Sequence, residues 1–293
     1  MIRTKNKPLV YVTLFSTSWA LNIVFIKKVL LLGVHPLVVS SNAFLITIVL
    51  LTFYYFLFRR GEISKATKKG IKGAVYSGII GSGFGSLLGY IGLNLSNSIN
   101  YGFVIKTTVV FVLIESYIFL KEPLTKIKMY MALILILGAY LLSTGGQTLL
   151  PRIGDVIILL SALSLATANI IVRNIIRKDI HPDALTYIRA FGGFILTALA
   201  AYVFVGRIIE PQYFYMIFQV SLFQFLLLIF LQRTLAVASA SYSSMMSMMT
   251  PVIVAIIATP LFGEYLNLVQ WIGAGLIMFG GIMTQVKGVA EHN

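Results

Sequence analysis

The chain has 293 residues, of which 58% are hydrophobic and 11% are charged, and its mean hydropathy is +0.93. Soluble domains carry about 25% charged residues, so this composition excludes an ordinary soluble protein and predicts a membrane protein. The net charge of +14 does not predict nucleic acid as a partner, because the basic residues lie between long apolar runs, and the absence of cysteine excludes disulfides and thiolate sites.

Ten apolar stretches are predicted to be membrane-spanning helices. A helix of about 20 residues crosses a hydrocarbon core of about 30 Å. Runs of this length without any charge are 8–26, 36–58, 129–151, 211–232 and 265–286. Two shorter runs, 156–172 and 190–206, suffice if flanking charges extend to the interface. A longer run is divided by a polar segment into two predicted helices, over 72–93 and 99–120. Residues 239–262 are the tenth predicted helix, the ninth in chain order.

The distribution of Lys and Arg predicts the orientation of these helices. With the N-terminus inside, eighteen Lys and Arg residues fall in inner segments, and the four in outer segments are Lys27, Lys28, Arg152 and Arg207. Cytoplasmic flanks carry the excess of positive charge. We therefore expect a multi-pass protein of the cell membrane, with both termini and the 59–72 loop in the cytoplasm and with Arg152 and Glu264 outside.

An internal repeat relates the two halves of the chain at an offset of 142 residues, the separation of Thr108 and Thr250. The other aligned pairs are Glu122 and Glu264, Gly138 and Gly280, and, at a slightly larger offset, His35-Pro36 and His181-Pro182. We predict one five-helix repeat over residues 8–147 and a second over 152–287. Because five is an odd number, the second repeat enters the membrane from the opposite side and is inverted.

Short motifs give the sequence a resemblance to a known family. Each half has a Glu-x-Leu boundary before a glycine-containing last helix, and the further motifs are Trp19-Ala-Leu-Asn22, Arg189-Ala-Phe and Thr250-Pro251. The chain resembles the EamA-type members of the drug/metabolite transporter superfamily. The resemblance implies transport of amino acids, other metabolites or drugs, commonly outward, at a central site lined by helices one, three, four, six, eight and nine. In the first half, Val109 stands where the second half has Pro251, and Asn42 stands where it has Arg189. These departures leave the identity of the substrate open.

Two ionisable residues lie inside the predicted fourth helix, where a charge is costly unless it faces water or a partner. Lys106 falls near the midplane and is either a fixed cation that binds an anionic substrate or one member of a buried ion pair. Glu115 is either a proton carrier for coupled transport or a partner of Lys121, Lys126 or Arg189. Their spacing puts Lys106 and Glu115 on opposite faces of the helix, so they do not pair with each other.

Further polar and flexible side chains are candidates for substrate contact. Asn22 and Asn169 occupy similar places in the first and sixth helices, where they either bond between helices or contact the substrate. Trp19 is either a packing residue or part of the same site. Met245 and Met248 belong to a segment rich in Met and Ser, a composition that suits a lining for varied ligands.

These observations favour a secondary transporter for a small metabolite, most simply an amino acid or related carboxylate, working as an exporter by alternating access. The alternatives are a broad-specificity exporter of drugs or amines and a non-transporting scaffold or receptor. We do not expect an enzyme, because no catalytic acids or histidines gather at one membrane depth. No metal-ligand spacing or nucleotide motif is present, so we expect no cofactor or metal, and the partners are a substrate, a coupling proton and the lipid bilayer.

Overall fold

The structure is a computed structural model that describes residues 7–96, 101, 103–148, 152–176, 178–262 and 266–288. Across these ranges the protein is built from helices, and the only β-type pairing is an isolated bridge between Ile176 and Ile180. The predicted all-α fold is therefore confirmed. Glu264, which we expect to face outward, falls outside the described residues.

Ten helices follow one another in the described part of the chain. They are α1 (Lys7–Leu31), α2 (Pro36–Phe58), α3 (Lys68–Leu95), α4 (Thr108–Leu120), α5 (Lys126–Thr144), α6 (Ile153–Ile175), α7 (Pro182–Val205), α8 (Phe214–Val237), α9 (Ala240–Met246 and Thr250–Phe262) and α10 (Leu268–Gly288). Among the described residues, nine segments are long and apolar enough to cross a membrane, one for each helix except α4. The predicted span of α4, 99–120, includes residues outside the described ranges.

The two halves share their local geometry at the offset that relates Thr108 to Thr250. A 3-10 turn, Ile105–Thr107, precedes α4, and the matching turn Ser247–Met249 interrupts α9. In both turns the threonine that follows donates its hydroxyl to the carbonyl three residues earlier, at 2.6 Å for Thr108 and 2.7 Å for Thr250. Such bonds compete with the regular helical ladder, and the same threonine bond therefore accompanies the break at the same place in each half.

Helix packing shows that the halves are inverted. Helix α1 packs on α8 as α6 packs on α3, while α2 packs on α7 and α5 on α10. Arg59, directly after α2, forms a salt bridge of 2.7 Å with Asp183 in the first turn of α7. Asn267, directly before α10, donates to the carbonyl of Gly145, directly after α5, at 3.0 Å. Equivalent helices therefore run antiparallel, as inverted-topology repeats require.

The end of the bundle at which α1 begins is rich in positive charge, and we call it the basic end. Its cations include Lys7, Arg59, Lys65, Lys178 and Arg233. Here the α2–α3 loop of the first half docks on the second half, because the amide of Thr67 donates to the carbonyl of Asp179 at 2.8 Å. At the opposite end the α7–α8 loop docks on the first half, where Ser41 and Asn42 both donate to the carbonyl of Ile208.

The outer surface of the bundle is apolar. Large hydrophobic side chains that are more than half exposed include Phe53, Leu57, Ile195, Phe204 and Ile282. A monomeric soluble protein rarely exposes so much contiguous apolar surface. Contact with lipid explains this apolar surface. The helical backbone is compatible with lipid, because a helix satisfies its own backbone hydrogen bonds. The predicted polytopic membrane fold with two repeats is therefore supported by both the helices and the surface.

Candidate functional site

A cavity of about 150 Å³ lies between the two halves. Its wall is formed by α1, α3 and α4 of the first half and by α6, α8 and α9 of the second, which are the helices that the resemblance implies. Phe44 of α2 and Arg189 of α7 complete the wall. Among the described residues of the lining, Lys106 and Arg189 are the charged side chains, and none is Asp or Glu.

Lys106 is held in the cavity wall by the 3-10 turn before α4. The residue is 4% exposed, and its ammonium nitrogen lies 4.0 Å from the centre of the Trp19 ring. This cation–π contact attracts the charge but supplies no hydrogen-bond acceptor. In the described part of the protein the nitrogen has no hydrogen-bond partner and no acid within salt-bridge distance. The structure therefore favours a fixed cation over one member of a buried ion pair.

The polar residues predicted on α1 and α6 also line the cavity. Trp19 stacks on Phe15 with ring centres 5.5 Å apart, which fixes the ring beneath Lys106. Asn22 donates to the carbonyl of Val220 on α8 at 3.0 Å, so part of its role is to join two helices. Asn169 occupies the similar place on α6, and its side-chain oxygen has no partner among the described residues. Asn169 therefore has a buried hydrogen-bond acceptor that the described residues do not use, and its contact with a substrate stays a prediction.

Arg189 is a second cation of the cavity that the sequence analysis places incorrectly. We expect it near the inner face as a partner of Glu115, whereas it lies inside α7, is 2% exposed and lines the cavity. Its Nε donates to the Ser82 hydroxyl at 3.0 Å, and its Nη1 is buried without a partner in the described residues. The N-cap of α7 could have located Arg189 correctly. The side chain of His181 accepts a hydrogen bond from the amide of Asp183 at 3.3 Å, so α7 begins at Pro182 and Arg189 lies inside it.

Glycines of α3 make room for Arg189. The middle of α3, Gly78–Gly85, is a π-helix, a form that is rare and often found at functional sites. A Cβ atom on Gly78 would lie 2.7 Å from the backbone oxygen of Arg189, and one on Gly81 would lie 2.9 Å from Nη2 of the same residue. These approaches are too close for a side chain. The glycines therefore allow α7 to contact α3 while the guanidinium reaches the cavity.

Comparison with known proteins agrees with this architecture. The profile of the EamA-like transporter family matches residues 6–144 and, a second time, residues 152–285. The chain belongs to this family. A solved crystal structure is similar over 99% of both chains, with a TM-score of 0.79 and 14% sequence identity, which shows a shared fold. No curated protein matches the sequence.

In this EamA-like protein the methionines of α9 do not line the cavity. Met245 and Met248 are buried in a cluster with side chains of α4, α5 and α10, so the prediction that they face the substrate site is corrected. The small residues of α9 and its 3-10 turn that line the cavity are Ala240, Ser243, Ser244 and Ser247. A helix turns about 100° per residue, so neighbouring residues face different sides and the serine face, not the methionine face, meets the cavity.

Glu115 also lies outside the wall of the cavity in this EamA-like protein. It is half-buried, and one carboxylate oxygen accepts a hydrogen bond from the Thr167 hydroxyl of α6 at 2.9 Å. The other oxygen is buried and has no hydrogen-bond partner among the described residues. Within the same residues it makes no salt bridge with Lys121, Lys126 or Arg189, so the expected ion pairing is wrong. The bond to Thr167 therefore joins α4 to α6, and a role in proton coupling stays a prediction.

The Glu-x-Leu boundary of the first family copy has a structural role. Glu122 accepts hydrogen bonds from the backbone amides of Ala240 at 2.9 Å and Ser241 at 3.1 Å. These are first-turn amides of α9, whose helix dipole favours a negative charge. The carboxylate therefore ties the end of α4 in the first half to the beginning of α9 in the second.

Proposed function

We propose that this protein is a secondary transporter of a small metabolite that carries a carboxylate or another anionic group, amino acids being the leading class. The observation that carries the proposal is the Lys106 ammonium, which lies in the cavity over the Trp19 ring with no acid beside it in the described residues. A buried charge in a membrane protein is costly unless it is paired or hydrated. An anionic group of the substrate supplies the missing partner.

Alternating access is the mechanism that the architecture supports. Both inverted repeats contribute to the wall of the cavity, and each repeat docks a loop on the other at one end. In carriers of this type, rocking of one repeat against the other opens the site to each side in turn. We propose export across the cytoplasmic membrane, with the basic end in the cytoplasm, as the direction of net transport.

Two alternative functions can be distinguished from this proposal, one by the charges in the cavity and the other by measuring flux. A drug or amine exporter is disfavoured, because the described lining holds two cations and no carboxylate that would bind an ammonium group. A scaffold or receptor would bind the ligand without moving it. Flux of a radiolabelled ligand into proteoliposomes therefore separates a transporter from a receptor.

The test of the proposal is Lys106→Met, which keeps much of the apolar stem and removes the charge. Affinity for an anionic or zwitterionic metabolite should fall about tenfold or more, equivalent to about 1.4 kcal/mol, while the purified protein remains folded. Lys68→Met, at the exposed start of α3, is the matched control and should leave affinity unchanged. Unaltered affinity in a folded Lys106→Met protein would refute the proposal.

A further inference from the structure

The cavity contains two buried cations that come from different halves of the protein. Lys106 belongs to the first half and is 4% exposed, and Arg189 belongs to the second half and is 2% exposed. The hydrogen bond that Arg189 makes inside the cavity is to a neutral group, the Ser82 hydroxyl. For the described residues, the structure gives no acidic partner to either side chain.

Two unpaired cations in a membrane interior impose a large electrostatic cost. Each charge loses water on burial, and the two positive charges also repel each other across a medium of low dielectric constant. Glu115, the nearest acid along α4, bonds to Thr167 and is not part of the wall. A ligand with one negative charge would compensate only one of the two cations.

We propose that the ligand of this cavity carries two anionic groups, one that contacts Lys106 and one that contacts Arg189. This inference rests on the proposed function and narrows its substrate class to organic dianions, such as dicarboxylates and amino acids with an acidic side chain. The π-helix of α3 supports it, because Gly78 lets the backbone of α7 approach at Arg189 and Gly81 leaves room for the guanidinium, which a side chain at that position would displace. Arginine suits this position, since its planar fork binds a carboxylate through two parallel hydrogen bonds.

The sharpest test compares ligands that carry one carboxylate with ligands that carry two. Succinate and butyrate share a four-carbon chain, and succinate has the second carboxylate. Binding to the purified full-length protein should be about tenfold tighter or more for one member of the series malonate, succinate, glutarate and adipate than for butyrate. The chain length that binds best reports the separation of the two cationic groups. Putrescine, a four-carbon dication, should not bind.

Substitution of Arg189 then tests whether this residue contacts the second carboxylate of the ligand. Arg189→Gln should lower dicarboxylate affinity by about tenfold or more and so remove the preference over butyrate, because the second carboxylate loses its cation. Arg207→Gln is the matched control, since Arg207 is half exposed in the α7–α8 loop, lies outside the cavity wall and should leave the preference intact. If Arg189→Gln does not fold, Ser82→Ala keeps the charge but frees the guanidinium, and the preference should fall by about half or more.

The outcomes separate this inference from the proposed function. Equal affinity for butyrate and every dicarboxylate, with both weakened by Lys106→Met, would refute two-point binding and leave an anion transporter. A preference for dicarboxylates that survives in both Arg189→Gln and Ser82→Ala would show that Arg189 does not contact the ligand. Binding of putrescine without binding of any of these anions would refute both proposals.

Discussion

At the scale of single residues, we predict that Glu115 is the proton carrier if transport is coupled to protons. One of its oxygens bonds to Thr167, and the other is buried without a partner in the described residues. Glutamine can still accept the bond from Thr167, but it cannot take up a proton. Glu115→Gln should therefore abolish accumulation driven by a pH gradient and preserve exchange at equal pH, as measured by substrate flux in proteoliposomes.

A control for this variant is Thr167→Val, which removes the hydrogen bond but keeps the carboxylate, and which should retain coupling with an altered pH dependence. Accumulation that continues unchanged in Glu115→Gln would exclude this residue as the proton carrier. The protein would then act as a facilitator or as an exchanger.

Sequence reasoning found some of the cavity residues and missed others for identifiable reasons. Lys106 and Asn169 stand out because a polar side chain in an apolar helix needs a partner, and both line the cavity. The prediction puts Arg189 at the inner face because the charge-free run begins after it, whereas α7 begins at Pro182. The direction of Met248 depends on how α9 rotates about its axis beside α10, and composition does not determine that rotation.

At the scale of helices, Asp183 connects α2, α7 and α8 at the basic end. Its buried carboxylate lies 2.7 Å from Arg59 and 3.2 Å from Arg233, and it therefore joins the two halves. Asp183→Asn leaves both arginines without this charge and should lower the free energy of unfolding by about 2 kcal/mol. It should also favour opening of the basic end, measured as faster thiol labelling of Ala240→Cys, a position in the cavity wall.

Glu62→Gln is the control, because Glu62 pairs with Lys65 inside one exposed loop and does not join the halves. This variant should change neither stability nor labelling of the cysteine at 240. Labelling that is equally fast in the parent and in Asp183→Asn would show that the salt bridges stabilise the fold without controlling access.

Helices could be predicted from the sequence more readily than their irregularities. Runs without charge mark most of the spans, because lipid excludes unpaired charge, and His35 and His181 cap α2 and α7 in the same way. The π-helix over Gly78–Gly85 could not be read from its glycines, since it depends on the approach of α7 and Arg189. The 3-10 turns before α4 and within α9 also could not be predicted, because several residue types permit either the 3-10 or the α-helical hydrogen bond at such a position.

At the scale of the whole molecule, the distribution of basic residues predicts which end faces the cytoplasm. The chain has no cysteine, so single cysteines can be introduced without removing others. Lys65→Cys in the α2–α3 loop should react with an impermeant thiol reagent only after the cells are broken, and Arg207→Cys at the opposite end should react in intact cells. The reverse pattern would invert the orientation and with it the proposed direction of export.

The contribution of one cation by each half has a kinetic consequence. When the cavity is empty, its two positive charges repel, and closing the halves around them removes water that screens this repulsion. A bound anion cancels the repulsion, so the loaded protein should reorient faster than the empty one. Efflux of labelled ligand from proteoliposomes should therefore accelerate when unlabelled ligand is supplied outside, and Lys106→Met should reduce that acceleration. An efflux rate that does not change when external ligand is supplied would show that the empty carrier reorients without this electrostatic barrier.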